Sequence, residues 1–336
     1  MPQHFLLSPA AKTLTLAQVM RMTDDEAETM FARIRWPATN GEPVCPHCGG
    51  TAVYDVRRPK GPPRWRCKVC VKEFTVTSGT LFAWHKLPVQ VYLSAIAIAI
   101  NEVKGKNALA MSRDLGTSYK TAFVLCHKIR EALATEFRNM RVGGEGETVE
   151  IDGAYFGGYI KPANLKENRR DRRKAVNQNG KRRVVVVARE RGGSTLPAVF
   201  KAEGASLAWI GAHVAKGTKL VADEAPGWNP LHGRYEVSRI DHSAAYSLDG
   251  VYSNGAESFF SRIRRGEAGH YHHIAGPYLA RYAQESAWRE DHRRTDNGTQ
   301  VNPCLAPTQI NPLLSASCPA SAARVALHSR HVGFRP

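Results

Sequence analysis

The sequence predicts a mixed α/β sheet domain preceded by two smaller modules, a metal-held ribbon and a helical region. Three observations carry this. Two CxxC pairs, Cys45/Cys48 and Cys67/Cys70, stand eighteen residues apart in a stretch punctuated by Pro and Gly. Apolar residues at helical spacing then run from 88 to 134. After the glycine-rich junction Gly143-Gly144-Glu145-Gly146, strand-like segments come in a run and later ones alternate with helices.

Taken in order, 23–35 reads as a helix. Thr23 is its N-cap, Asp24, Asp25 and Glu26 suit the positive end of the dipole, and Ala27, Met30, Phe31 and Ile34 recur on one face. The whole of 1–40 is expected to be a helical segment, with the ribbon over 41–78. Pro88 opens an apolar helix to about Asn101, and 107–115 and 118–134 follow as two helices split at Gly116. That region is taken as 79–142. Strands are expected over 148–156, 182–189 (with four consecutive valines), 195–201, 218–222 and 234–238. Helices are expected over 207–215, 254–265 and 277–289. These make a domain over 147–293. The remainder, 294–336, is rich in Ser, Ala, Pro and Asn without periodicity, and little order is expected there.

The chain has 336 residues, 43% of them hydrophobic, and a formal net charge of +17. That length suits two or three domains. The charge implies a polyanionic partner. Nucleic acid is favoured over a membrane surface, because no basic amphipathic helix or lipidation signal is present. Seven cysteines, an odd count, without a secretory signal point to a reducing compartment. The longest apolar run, near 91–100, is too short to span a bilayer. A cytoplasmic, nucleoid-associated protein is the expectation.

The CxxC pairs have the spacing of two knuckles that give four thiolates to one zinc ion. The segment is poor in aliphatics, so the metal is expected to supply much of its folding energy. His47 reads as a solvated knuckle residue. Between the knuckles, Tyr54, Arg57, Arg58, Lys60, Arg64, Trp65 and Arg66 interleave charge with aromatics. That suits phosphate contact with base stacking, or equally a solvated hairpin with Trp65 packed on it. The helices 107–115 and 118–134 read as a helix–turn–helix, with Ser118, Tyr119, Lys120 and Thr121 opening the second helix where recognition residues meet a groove. Cys126 lies among apolar residues and reads as core.

Three carboxylates complete the pattern. Asp152 sits mid-strand, where an unpaired charge is costly unless it binds metal. Asp223 sits at the C-terminal end of a strand, where open α/β sheets place sites. Glu257 sits in the first turn of a helix. Each alone is an ordinary acid; together they are the hard oxygen ligands that Mg²⁺ or Mn²⁺ prefers, as two-metal phosphoryl transfer requires.

With the ribbon, the helical pair and the acids in this order, the chain resembles the zinc-ribbon DDE transposases of bacterial insertion sequences, the ISXO-like group. The resemblance covers about 24–292. It rests on Cys45-Pro46-His47-Cys48, on Glu150-Ile151-Asp152-Gly153-Ala154-Tyr155-Phe156-Gly157-Gly158, on Ala222-Asp223, and on the stretch from Asn254 to Gly266. The segments 269–273 and 282–289 continue it. It implies an RNase H-like catalytic domain, with Asp152, Asp223 and Glu257 as the metal-binding triad. Arg264 matches the basic residue on the same helix, and Asn254 is a further candidate for the site. It also implies binding to element ends and target DNA, and an oligomer on DNA. Two positions depart from the pattern. Gly153 follows the first Asp where an acid is common, and Glu224-Ala225-Pro226-Gly227-Trp228 follows the second in place of a Gly- and Tyr-containing turn.

The insertion 161–183 is dense in Lys and Arg against two acids. It reads as a loop that clamps phosphates, with Arg169, Arg170, Arg172 and Arg173 at its centre, or as a solvated insertion. His242 could assist in the pocket, though a lone His is commonly structural. His270, His272 and His273 lack the spacing of a helical metal site and read as a DNA-contacting loop. A non-catalytic DNA-binding regulator and a nuclease without strand transfer stay open as alternatives.

Overall fold

A computed structural model describes residues 4–56, 61–84, 86–158, 161–171, 177, 180–240, 247 and 252–305. After two 3₁₀ turns (Phe5–Leu7 and Pro9–Ala11) come two α-helices, each started by a reciprocal cap. In α1 (Leu16–Arg21) Thr15 and Gln18 cap each other. In α2 (Asp24–Arg35) Thr23 accepts the Glu26 N–H at 3.3 Å and donates its own N–H to the Glu26 carboxylate at 2.8 Å. Ala27 and Phe31 are fully buried on one face of α2.

The ribbon is a three-stranded antiparallel sheet of β1 (Val53–Asp55), β2 (Arg64–Cys67) and β3 (Glu73–Thr75) in that order. It does not rest on metal alone. Phe74 and Val76 are buried, and Trp65 and Phe74 meet Trp36 from the end of α2 with ring centroids 5.8 and 6.5 Å away. Arg35 extends through this junction and donates to the carbonyls of Thr75, Val76 and Ser78.

The middle of the molecule is α3 (Val89–Asn101), buried on nearly every side. A helix hydrophobic all round belongs inside a core. Beside it, α4 (Ala108–Asp114) is capped by Asn107 and α5 (Tyr119–Leu133) by Ser118, which accepts the Thr121 N–H at 3.2 Å. Gly116, at φ +61°, makes the turn between them. This is the helical pair that the sequence predicts.

The five strands that follow form one mixed sheet: β4 (Thr148–Phe156), β5 (Arg183–Glu190), β6 (Thr195–Phe200), β7 (Lys219–Asp223) and β8 (Glu236–Ile240). Their spatial order is β6-β5-β4-β7-β8. β4, β5 and β6 pair antiparallel, whereas β7 lies parallel to both β4 and β8. Helix α6 (Leu207–His213) lies in the connection from β6 to β7. Helix α7 (Asn254–Gly266) packs on β4 and β5, and α8 (Leu279–Asp291) on β6. Asp291 fastens α8 to the sheet: it accepts the Thr195 N–H at 2.9 Å and pairs with Arg189 at 3.0 Å.

One carboxylate joins the helical region to the sheet domain. Glu285 of α8 takes Arg130 of α5 at 2.7 Å and Arg289 at 2.7 Å, all three buried or nearly so. Arg289 also donates to the carbonyls of Ala99 and Glu102 at the end of α3, and Arg130 to that of Lys106. Gly105 is obligatory beneath this cluster. Its φ is +83°, and a Cβ there would stand 2.0 Å from the Tyr271 hydroxyl and 2.8 Å from Glu285.

The expectation of little order from 294 onward is corrected for 296–305. Asn297 exchanges hydrogen bonds with Leu14 and Asn101, and Thr13 donates to Asp296 at 2.5 Å. Beyond them α9 (Asn302–Leu305) packs on α5 and α2, with Val301, Cys304 and Leu305 buried. Polar composition hid three apolar residues that fill a groove between distant helices. Trimming the chain at 300 would remove all three. Residues 306–336 lie outside the described part.

Burial alone would raise the Glu285 carboxyl, but the Arg130 and Arg289 cations bring it down to about 2. A folded pKa below the unfolded value contributes stability above roughly pH 4.3 that is lost as pH falls toward 2. Glu285→Ala removes this and strands two arginines, at a cost of about 3–5 kcal/mol. The expected fall in melting temperature is roughly 6–15 °C, with a shallower stability loss between pH 5 and 3 than in the parent. A fall under about 3 °C would show that the cluster does not join the two regions.

Candidate functional site

In the ribbon, Cys45 and Cys48 lie on one knuckle and Cys67 and Cys70 on the other. The N–H of Gly49 bonds to the Cys45 carbonyl and that of Val71 to the Cys67 carbonyl, closing two matching tight turns. Gly49 and Val71 both have positive φ. The four sulfurs all lie within 4.8 Å of one another, Cys45–Cys70 and Cys48–Cys67 at 3.5 Å. Tetrahedral Zn–S bonds of about 2.3 Å place sulfurs about 3.8 Å apart, so the donor set fits zinc. Charge agrees. The N–H groups of Cys70 and Val69 draw the Cys67 thiol down to about 7. Cys48 receives the Gly50 N–H, yet the other three sulfurs hold it up at about 12. Four sulfurs this crowded shed all their protons only around a cation.

The acidic group is built by register. Ile151 of β4 pairs in parallel with Ala222 of β7, so the next residues, Asp152 and Asp223, stand abreast. Asp223 accepts the Trp228 indole N–H at 2.7 Å and the Ala225 N–H at 3.3 Å, which fixes its carboxylate. Glu150, two residues before Asp152 on the same face of β4, holds the start of α7. It is 1% exposed, accepts the Ala256 N–H at 2.9 Å, and pairs with Arg191 at 3.2 Å. An anion suits a helix N-terminus. Arg191 also donates to the Tyr252 carbonyl at 2.7 Å. The helix is thereby pinned with Glu257 in its first turn, near enough for its charge to act on Asp152. Asp152 registers the result. Burial, then the charges of Asp223, Glu257 and Glu203, raise its carboxyl to about 7, against the lowering effect of the Gly153 N–H.

Glu203 escaped the sequence reading. It follows β6 on a 3₁₀ turn, and burial and then the Asp223 charge raise its carboxyl. It fits because Gly153 and Gly227 leave room: a Cβ on Gly153 would stand 3.0 Å from its Cγ, and one on Gly227 3.2 Å from its Cβ. The departure at Gly153, where an acid is common, is the one sequence signal that bears on it. Glu150 was quoted in the sequence for its motif and not for its hold on α7.

Asn254 is the first residue of α7, exposed and one turn before Glu257. Arg264 is exposed in the last turn of the same helix. Other predicted contacts have partners within the chain. Trp65, half-buried, packs its ring on Trp36 and Phe74, as the packed alternative expects. Arg64 pairs with Glu73 at 3.1 Å, and Arg66 donates to the Val71 carbonyl. Two aromatics of this neighbourhood turn outward, Tyr54 and the fully exposed Trp84, the latter with φ +64°. Ser118 is occupied in capping α5, while Lys120 is exposed. Arg169 folds back onto the Ala163 and Asn164 carbonyls, and Arg170 is exposed. Arg172, Arg173, His242, Arg57, Arg58 and Lys60 lie outside the described residues. Among the described residues the cysteines are the tightest donor cluster; His270, His272 and His273 form none. Asp152, Asp223 and Glu257 do not form such a cluster among the described residues either.

A ribbon of four clustered cysteines followed by a mixed sheet with flanking helices fits one class, the zinc-ribbon transposases. Residues 22–73 match the model described as the transposase zinc-ribbon domain, and 144–291 match that of the ISXO2-like transposase domain. Together the matches cover more than half of the chain, and it belongs to the ISXO2-like transposases with a zinc ribbon. No curated protein matches it significantly.

Two outcomes are expected. The parent should carry one zinc per chain by metal analysis, and the Cys67→Ser, Cys70→Ser double variant none; zinc retained in that variant would refute the site. In Gly255→Ala the new Cβ would stand 2.8 Å from the buried Glu150 carboxylate. A cost of about 1–3 kcal/mol should lower the melting temperature by roughly 3–8 °C. An unchanged melt would mean that Glu150 does not pin α7.

Proposed function

We propose that the chain is an insertion-sequence transposase that binds terminal inverted repeats and cuts and joins DNA at Asp152, Asp223 and Glu257. The observation that carries this is the side-by-side placement of Asp152 and Asp223, with Glu257 close enough for its charge to raise the Asp152 carboxyl. A divalent cation among these carboxylates would relieve the repulsion that Asp223 and Glu257 exert on Asp152. The support for DNA binding is the family membership and the charge of +17.

In this reading 41–78 is the ribbon and 79–142 the helical DNA-reading region, where Ser118 orders the start of α5 and Lys120 faces out. Residues 147–293 are an RNase H-like catalytic domain, and the basic insertion 161–183 holds phosphates. Asp152, Asp223 and Glu257 would hold Mg²⁺ or Mn²⁺, which supplies charge neutralisation for the reacting phosphate. Asn254, on the same helix face as Glu257, is placed to orient the attacking water or the DNA, and Arg264 to hold a phosphate two turns away. Water attacks the phosphorus at the element end. An O–P bond forms, the P–O3′ bond breaks, and the 3′ oxygen leaves as a hydroxyl. That 3′-OH then attacks a target phosphodiester in the same manner, so no protein nucleophile is required. Two ends must be held together, which calls for more than one copy of the chain on DNA.

Asp152→Ala should reduce Mg²⁺-dependent cleavage of DNA bearing the element end by several orders of magnitude and leave end binding within about threefold. Cleavage by Asp152→Ala near the parent rate would overturn the mechanism. A parent that binds ends and never cuts would make the protein a DNA-binding regulator. A parent that cuts without strand-transfer product would make it a nuclease.

A further inference from the structure

A cavity of about 920 Å³ lies beyond the far end of α7 from Glu257. Its walls come from the N-terminal arm (Phe5, Leu6), the loop after α3 (Val103, Lys104), the second half of α7 and the outer face of α8. The acids within it are already matched. Glu285 is held by Arg130 and Arg289, and Glu290 by Arg189, Arg262 and Arg293. Its mouth nevertheless carries five exposed cations: Lys104, Arg262, Arg265, Arg293 and Arg294. Among the described residues Lys104 and Arg294 have no carboxylate partner, and the bond shown for Arg265 goes to the Ser261 hydroxyl. Burial, followed by the charges of Arg293, Arg189 and Arg265, lowers the pKa of Arg262. Cations that crowd at this density favour an anion among them.

The interior is of a different kind. Phe5, Ile263, Tyr271 and Ile274 line it, and Leu6 and Val103 turn apolar surface toward it, Val103 at 82% exposure. A charged rim over an aromatic and aliphatic floor matches a nucleotide in both halves, phosphate outside and base within. A base inside a duplex cannot enter such a cavity, so the strand must be unpaired. Position fits too. Arg262 and Arg265 follow Glu257 on α7 by five and eight residues, roughly 8 and 12 Å along the axis. At about 3.4 Å per nucleotide, that is roughly two to four nucleotides from the proposed point of cleavage.

We propose that this cavity binds an unpaired nucleotide of the DNA strand flanking the cut, with its phosphates on the Lys104, Arg265 and Arg294 rim. The location relative to the cut rests on the catalytic reading above; binding itself does not.

The test uses the zinc-loaded full chain without Mg²⁺. The probes are a fluorescent single strand of about 12 nucleotides and the corresponding blunt duplex. The triple variant Lys104→Ala, Arg265→Ala, Arg294→Ala avoids the buried Glu285 and Glu290 clusters. It should weaken single-strand binding at least about tenfold and reduce the slope of log K against log salt by about 2. Duplex affinity should change less than about threefold. Val103→Asp, which leaves every cation in place, should weaken single-strand binding as well. Unchanged single-strand affinity in the triple variant, or unchanged affinity in Val103→Asp, would overturn the proposal. So would equal losses on both probes, which would make the rim a general phosphate surface. No cleavage occurs in this assay, so its failure leaves the catalytic reading standing. A protein that binds strand here and never cuts DNA would remove the catalytic reading alone.

Discussion

The structure depends on one buried carboxylate. Glu285 accepts Arg130 from the helical region and Arg289 from its own helix, and these arginines hold the ends of α3 and the following loop through their carbonyls. A buried ion cluster adds little net stability compared with apolar packing, but removing one member is severe. Its value here is geometric. It fixes α5, which opens at Ser118 and Lys120, against α8, which is clamped to β6 by Asp291. The helical region and the sheet that carries the acids are thus held at one spacing; under the proposed function, that is what cutting at a fixed distance from a recognised sequence requires.

The same logic acts at smaller scale around Glu150. Its carboxylate ends α7 on the sheet and leaves no room for a side chain at Gly255. Glu257 is therefore placed by a residue two positions from Asp152 on the same strand. The charges of Asp223 and Glu257 act on Asp152, and hydrogen bonds position the two aspartates: Trp228 and Ala225 to Asp223, Gly153 to Asp152. Such preorganised charge is what phosphoryl transfer uses.

Much of this was legible in the sequence because it is local. Thr23 and Glu26 are three residues apart and cap as expected. The CxxC pairs announce their own geometry. Asp152 and Asp223 could be placed because apolar runs define β4 and β7. What could not be read depends on which distant segments meet. The sequence left Trp65 equally open to base stacking or packing, and its contact with Trp36, 29 residues away, was not legible. Glu203 follows an ordinary strand, and only the fold brings it beside Gly153 and the acids. Val301, Cys304 and Leu305 are scattered in a polar tail, yet fill a groove on α5 and α2. The Glu285 cluster joins residues 155 positions apart, and nothing near either one signals it.

The central claim is that the acids at β4, β7 and α7 bind divalent metal for chemistry on DNA. Titrating Mn²⁺ into the zinc-loaded protein, with spin resonance to count bound ions, tests this most directly. The parent should bind roughly two Mn²⁺ per chain on DNA, and an Asp152→Asn, Asp223→Asn variant should lose them while keeping its zinc and its melting temperature. Equal Mn²⁺ binding by parent and variant would contradict the account.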